Sequence, residues 1–241
     1  MKPRGVDIHR LQRILAAVKL PIFSCSILLI TLALITGSLR AALPEAVKDW
    51  VESQAKIKSI NAAFRQERVL RSVKKPLASE GRLWFAAPNR FRWELTSPSP
   101  LLVVQADPTH MLLLDPGRHL GRRISPEKAA QGPSDAAAFL QMGFPRKPED
   151  FEKTFNILES TTDSKGRLTS LSLQLRDAKA AAMVPKIVFN MEAANGNLTA
   201  FHVFLKDGSR IDTTILSSKR NEVFKDDVFQ PDLTGYRIKD D

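Results

Sequence analysis

Residues 79–115 read Ser-Glu-Gly-Arg-Leu-Trp-Phe-Ala-Ala-Pro-Asn-Arg-Phe-Arg-Trp-Glu-Leu, then Thr-Ser-Pro-Ser-Pro, then Leu-Leu-Val-Val-Gln-Ala-Asp-Pro-Thr-His-Met-Leu-Leu-Leu-Asp. The stretch predicts four short strands. Gly81 to Ala86 is the first. Ala87-Pro88-Asn89 is a turn, because proline fixes φ and asparagine tolerates the left-handed region. Arg90 to Leu95 alternates strictly, so Phe91, Trp93 and Leu95 face one way and Arg90, Arg92 and Glu94 the other. Pro98 and Pro100 end that strand. Leu101 to Val104 and Met111 to Leu114 are apolar on both faces and are joined at Asp107-Pro108.

Working outward, Leu43 to Ile60 predicts a helix. Leu43, Val47, Trp50, Val51 and Ile57 recur at three- and four-residue spacing, and Pro44 suits a first turn. Ile60 to Leu70 alternates and predicts the first strand, with Ile60, Ala62 and Phe64 inward. Downstream, His119 to Ile124 is a short strand. Ser125 to Phe144 breaks the β pattern. Ser125-Pro126 and Ser134 read as helix starts, Gly132-Pro133 separates the two pieces, and Phe139, Leu140 and Met142 give the second an apolar side. Small, interrupted helices of this kind suit a lid.

The remainder predicts a β-meander. Phe151 to Glu159 reads as a strand and Ala178 to Ala182 as a loop. Leu171 and Leu173 alternate with Ser170, Ser172 and Gln174; Ile187, Phe189 and Met191 with Val188 and Asn190; and Phe201 and Val203 with His202, Phe204 and Lys206. Asn195-Gly196 and Asp207-Gly208 are hairpin turn signals. Ile211, Thr213 and Ile215 complete the run. Hairpin turns make the sheet antiparallel, and ten or eleven strands in one sheet have to curl. The fold class expected is mainly β (α+β). The inward stripe collects Phe64, Phe91, Trp93, Leu171 and Leu173 with Phe189, Met191, Phe201 and Val203. One helix and a short lid cover it only in part.

The ordered set of motifs resembles the outer-membrane lipoprotein carrier family, LolA. The residues that carry the resemblance are Phe64-Arg65-Gln66, Gly81 with Trp84, Pro88-Asn89-Arg90-Phe91-Arg92-Trp93, and Leu114-Asp115-Pro116, with Phe224 and Phe229-Gln230-Pro231 resembling its closing strand. It spans roughly 43–238. The resemblance implies an antiparallel unclosed half-barrel with an N-terminal helix and a short helical lid over its concave face. It implies a monomeric periplasmic carrier that holds lipoprotein acyl chains. An inner-membrane ABC exporter would load it and an outer-membrane receptor would unload it, with no cofactor. The nine inward residues above would then be lipid-binding. Relatives latch the lid with an arginine before the Pro-Asn. Here that position is Ala87, so the latch is absent or has moved to Arg90 or Arg92. The alternative is a divergent half-barrel that binds another lipid or senses lipids as an envelope regulator.

Residues 1–41 fit a secretory leader, leaving 42–241 as the carrier domain. Lys2, Arg4, Arg10, Arg13 and Lys19 precede the apolar run Ile22 to Ile35, and Ala41-Ala42 offer small residues for cleavage. Cys25 lies inside that run, so it does not read as a lipidation site. An uncleaved leader would instead anchor the protein in the inner membrane. The chain of 241 residues carries a net +10. Without the leader 30 basic residues stand against 25 acidic ones, a net of +5. Nucleic acid is not expected, given the leader and the lack of aromatics among Arg65, Arg68, Arg71, Lys74 and Lys75. No Gly-x-Ser-x-Gly elbow and no phosphate-cradling loop is present, and His110, His119 and His202 lack metal-ligand spacing. No enzyme and no metal is expected. His119 and His202 read as solvated.

Overall fold

The computed structural model describes residues 43–125 and 147–240. The expected lid, with Phe139, Leu140 and Met142, and the expected leader lie outside the described residues.

The chain enters through helix α1, Glu45–Ala55, with Pro44 at its N-cap and Glu45 in the first turn. Its stripe buries Val47, Trp50 and Val51. It stops short of the predicted Ile60 because strand β1 already begins at Ser59. Six strands follow: β1 Ser59–Val69, β2 Leu77–Ala86, β3 Arg90–Ser97, β4 Leu101–Gln105, β5 Met111–Asp115 and β6 Leu120–Ile124. Beyond residue 146 come helix α2 (Pro148–Thr154), β7 (Phe155–Thr162), β8 (Leu168–Leu175), helix α3 (Ala178–Met183), β9 (Lys186–Met191), β10 (Leu198–Phe204) and β11 (Arg210–Arg220). A 3-10 turn, Asp226–Phe229, precedes β12, Arg237–Asp240.

Three local readings are corrected. Phe151 to Glu159 is not one strand. Pro148 in the first turn, with Glu149 and Asp150 beside it, favours a helix, and β7 starts only at Phe155. Ala178 to Ala182 is not a loop. Asp177 accepts a hydrogen bond from the Ala180 amide and caps a short alanine-rich helix. The closing strand is not at Phe224 to Phe229; Phe229 is buried in the 3-10 turn, and β12 closes the sheet.

The sheet has twelve strands in the order β12-β6-β5-β4-β3-β2-β1-β11-β10-β9-β8-β7. It is two meanders, β1–β6 and β7–β11, joined side by side where β1 pairs with β11. Every pairing is antiparallel except β12 with β6, which is parallel. The edge strands β12 and β7 do not pair with each other, so the sheet is unclosed. The hairpin tips use the expected glycines: Gly196 and Gly208 take φ of 68° and 81°, a region that disfavours a side chain.

The sheet curls steeply. Trp93 on β3 and Phe201 on β10 are four strands apart, about 19 Å in a flat sheet at the usual strand spacing. Their ring centroids are 6.3 Å apart. Phe64 on β1 lies between them in order and stacks on Trp93 at 3.9 Å. That stacking crosses β2, and it is Gly81 that leaves the space. A Cβ on Gly81 would overlap the Phe64 ring and the Glu94 carbonyl.

Both faces of β4 and β5 are covered, as their composition predicts. Val103 and Met111 join the main core. Leu102, Val104 and Leu114 form a second cluster on the other face, under Leu233, Tyr236 and Ile238 from the C-terminal segment. Gly121 on β6 makes room for Ile238 there.

Candidate functional site

The inner face of the sheet is the candidate site. Alternation along each strand sends one set of side chains to it, and register aligns the sets: Phe91 opposite Phe85, Trp93 opposite Leu83 and Val103, Phe201 opposite Phe189, Phe189 opposite Leu171. All nine inward residues named from the sequence, Phe64 through Val203, fall on this face and in one buried cluster. The structure therefore brings them together. Their role toward lipid is a separate matter from their placement.

The two halves of the face differ. Over the β7–β10 half lie α1 and α2, which contact each other, β8 and β7. Trp50 lies 6.2 Å from Phe189, and its indole Nε1 donates to the Gly196 carbonyl at 3.0 Å. Phe151 of α2 packs on Phe155 at 5.2 Å. On the β1–β6 half and at its seam with β11 the lining is less uniform. Gln66 Nε2 donates to Thr213 Oγ1 at 3.2 Å, both buried, and Gln105 is buried on the same face. Trp93 Nε1 is buried and has no hydrogen-bond partner among the described residues. A donor left unsatisfied in an apolar surround costs about 1–3 kcal/mol.

Gln66 and Gln105 were left out of the apolar stripe, while Thr213 was named in the alternating run of its strand but not counted in the stripe. The signal was available: each stands two residues from an inward apolar residue, namely Phe64, Val103 and Ile211. Period two assigns faces regardless of polarity.

Arg90 and Arg92 occupy the opposite face of β3. Arg90 Nη1 pairs with Asp226 at 3.0 Å, and its guanidinium lies 4.9 Å from the centre of the Phe229 ring. Arg92 donates to the Val228 carbonyl at 3.2 Å and to Glu94 at 3.0 Å, and lies 5.5 Å from the centre of the Trp84 ring. The two residues expected as a lid latch thus hold the C-terminal segment, on the face of β3 away from Phe91 and Trp93.

His202 is corrected from solvated to paired. On the outer face Ser170 bonds Asn190 at 3.1 Å, Asn190 meets His202 Nε2 at 3.2 Å, and His202 Nδ1 meets Asp212 at 2.6 Å. Arg210 completes the ladder by donating to Asp212 at 2.8 Å. The serine bonds asparagine rather than the imidazole, so the ladder crosses four strands without activating a nucleophile. His119 is exposed, with φ 53°. Among the described residues no group of three or more His, Cys, Asp or Glu could hold a metal ion, and no helix is long and apolar enough to cross a membrane.

The inner face is a buried apolar cluster, and its β1–β6 half includes the buried amides of Gln66 and Gln105, the Thr213 hydroxyl and the Trp93 indole N–H. Known proteins of similar sequence or fold can be set beside this geometry. A protein described as outer-membrane lipoprotein carrier protein from Dechloromonas aromatica (strain RCB) is 29% identical over 103 residues, 43% of this chain and 46% of that protein. The match thus spans about half the length of that curated relative. Among solved structures, a conserved protein from Thermus thermophilus superposes with a TM-score of 0.49 at 10% identity, over 82% of this chain and 98% of that one. A LolA superfamily protein from Nitrosomonas europaea gives 0.41 at 10% identity, over 76% and 96%. The family model described as outer membrane lipoprotein carrier protein LolA matches residues 55–232, and the chain belongs to that family.

Proposed function

We propose that the protein is a periplasmic carrier that takes up the acyl chains of lipoproteins against the inner face of its sheet and ferries them from the inner to the outer membrane. Residues 1–41 direct export and 42–241 do the carrying. An inner-membrane ABC exporter is the donor and an outer-membrane receptor the acceptor. The protein is not an enzyme. The observation that supports the reading is the curl: Phe64, Trp93 and Phe201, from strands far apart in order, converge in one buried apolar cluster. Each acyl CH₂ withdrawn from water is worth about 0.8 kcal/mol. On this reading the cluster parts to admit the chains, and its apolar side chains then compete with aggregation of the free chains. Phe91, Trp93 and Phe64 line the uptake region, with Leu171, Leu173, Phe189, Met191, Phe201 and Val203 continuing it. On this reading the buried Trp93 N–H, without a partner among the described residues, would donate to an ester or amide carbonyl of the acyl linkage once the chains enter.

Native mass spectrometry of protein isolated from exporting cells tests this. Acylated species are expected to copurify, and the loaded protein should release a lipoprotein only to outer-membrane vesicles that contain the receptor. Phe91 is 4% exposed, so Phe91→Glu separates two outcomes: a folded variant that no longer holds acyl species supports uptake at this position, and global unfolding counts against it. Wild-type protein free of any acyl species, and unable to extract a lipoprotein from membranes, would sink the carrier reading.

A further inference from the structure

One end of the sheet carries a chemistry that the inner face does not use. The β1–β2, β10–β11 and β8–β9 connections lie side by side there, because their strands are neighbours in the order β2-β1-β11-β10-β9-β8. Arg71 ties two of them together by donating to the Asp207 carbonyl at 3.4 Å, and Lys206 N donates to the Met183 carbonyl at 2.9 Å and ties in the third. Residues 70–76, 176–185 and 206–209 together hold six Lys or Arg and two Asp. Both aspartates are turned onto their own loops: Asp177 accepts from Ala180, and Asp207 from the Ser209 amide and hydroxyl. Lys74, Lys75, Lys179 and Lys206 form no ion pair among the described residues. At the other end of the sheet, residues 56–58, 163–167, 192–197 and 221–225 hold five basic and three acidic residues, so the excess is larger at the first end.

The same rim exposes apolar side chains. Val73, Leu77 and Met183 are 42%, 48% and 60% exposed, and every residue from 71 to 78 is exposed. Apolar side chains set among lysines on long stems match the layering of a bilayer surface, with acyl chains below and phosphates above. Each lysine near an anionic leaflet adds to the attraction, and salt screens it.

We propose that this rim docks on an anionic phospholipid surface, with Val73, Leu77 and Met183 entering the headgroup layer and Lys74, Lys75, Lys179 and Lys206 meeting the phosphates. The inference makes no assumption about cargo, and its test reads the rim alone. The full chain, with Cys25→Ser and Ser72→Cys, carries an environment-sensitive dye at position 72. A second preparation carries the dye at position 194, on the opposite end, through Ala194→Cys. The leader is identical in both, so only the position of the probe differs. With vesicles of phosphatidylethanolamine and phosphatidylglycerol the emission at 72 should shift to the blue and that at 194 should not. Pure phosphatidylcholine vesicles should give no shift. Lys74→Glu with Lys75→Glu should weaken the response at least about tenfold, since each lysine at an anionic surface is worth about 1 kcal/mol. These substitutions lie on a wholly exposed hairpin, and an unchanged melting temperature checks that the fold is kept. Equal shifts at both positions, indifference to headgroup charge, or a response to soluble polyglutamate with none to vesicles would overturn the proposal. The last outcome would point to an acidic protein instead.

Discussion

Gly81→Ala should destabilise the protein far more than its position in a strand suggests. An alanine there is ordinarily a better strand residue than glycine. Here the added methyl group would overlap the Phe64 ring, whose Cε2 would lie 2.7 Å away, and the Glu94 carbonyl. The ring has to swing off Trp93, on which it now stacks at 3.9 Å. Overpacking of this kind costs about 1–3 kcal/mol, and loss of the aromatic pair adds about 0.5–1.5 kcal/mol. The expected loss is therefore about 2–4 kcal/mol. For a domain of this size that lowers the melting temperature by roughly 4–16 °C. Urea unfolding followed by tryptophan fluorescence measures it. The decisive comparison is a double-mutant cycle with Phe64→Leu. The smaller side chain removes much of the overlap, so Gly81→Ala should cost at least about 1 kcal/mol less in that background. Additivity within about 0.5 kcal/mol would refute the idea that Gly81 exists to let Phe64 cross β2.

Trp93→Phe should change stability by about 1 kcal/mol or less, because the cavity it leaves is offset by removal of a buried N–H that has no partner among the described residues. A loss above about 3 kcal/mol in urea titration would refute the offset. Gly121→Ala should loosen β12 with little global effect, since the methyl group meets the side-chain ends of Ile238 and, at 2.6 Å, Leu114. Amides 237–240 should exchange faster while those of β9 stay unchanged. Acid should weaken two hairpins. The Arg167 side chain holds the Asp163 carboxyl below the usual carboxylate range, and the Ser209 amide does the same for Asp207. A depressed folded value means that the stabilisation is complete above the unfolded value of about 3.9 and is lost as pH falls through the folded value. Asp163→Asn should remove that contribution at neutral pH, where it is complete, and so flatten stability against pH in the acid range.

The sequence alone determined whatever depends on near neighbours. Period two placed Phe91 and Trp93 on one face and Arg90 and Arg92 on the other, because successive side chains in a strand must point apart. Asn195-Gly196 and Asp207-Gly208 marked hairpins, because only certain residues accept the left-handed backbone the turns require. The continuous apolar runs at 101–104 and 111–114 announced strands covered on both sides. What covers them was not legible: burial pattern reports that a face is hidden, never by which segment, and here the second cover is 233–238. The same limit hid the pairing of β1 with β11, which joins the two meanders, and the crossing of Phe64 over Gly81 to Trp93. It also hid the partners of Arg90 and Arg92 in residues 226–228. Contacts between different segments, whether 29 residues apart as for Phe64 and Trp93 or more than a hundred as for Arg90 and Asp226, leave no periodic trace in either segment. Only the complete register of the sheet, which fixes where each strand lies relative to all the others, decided them.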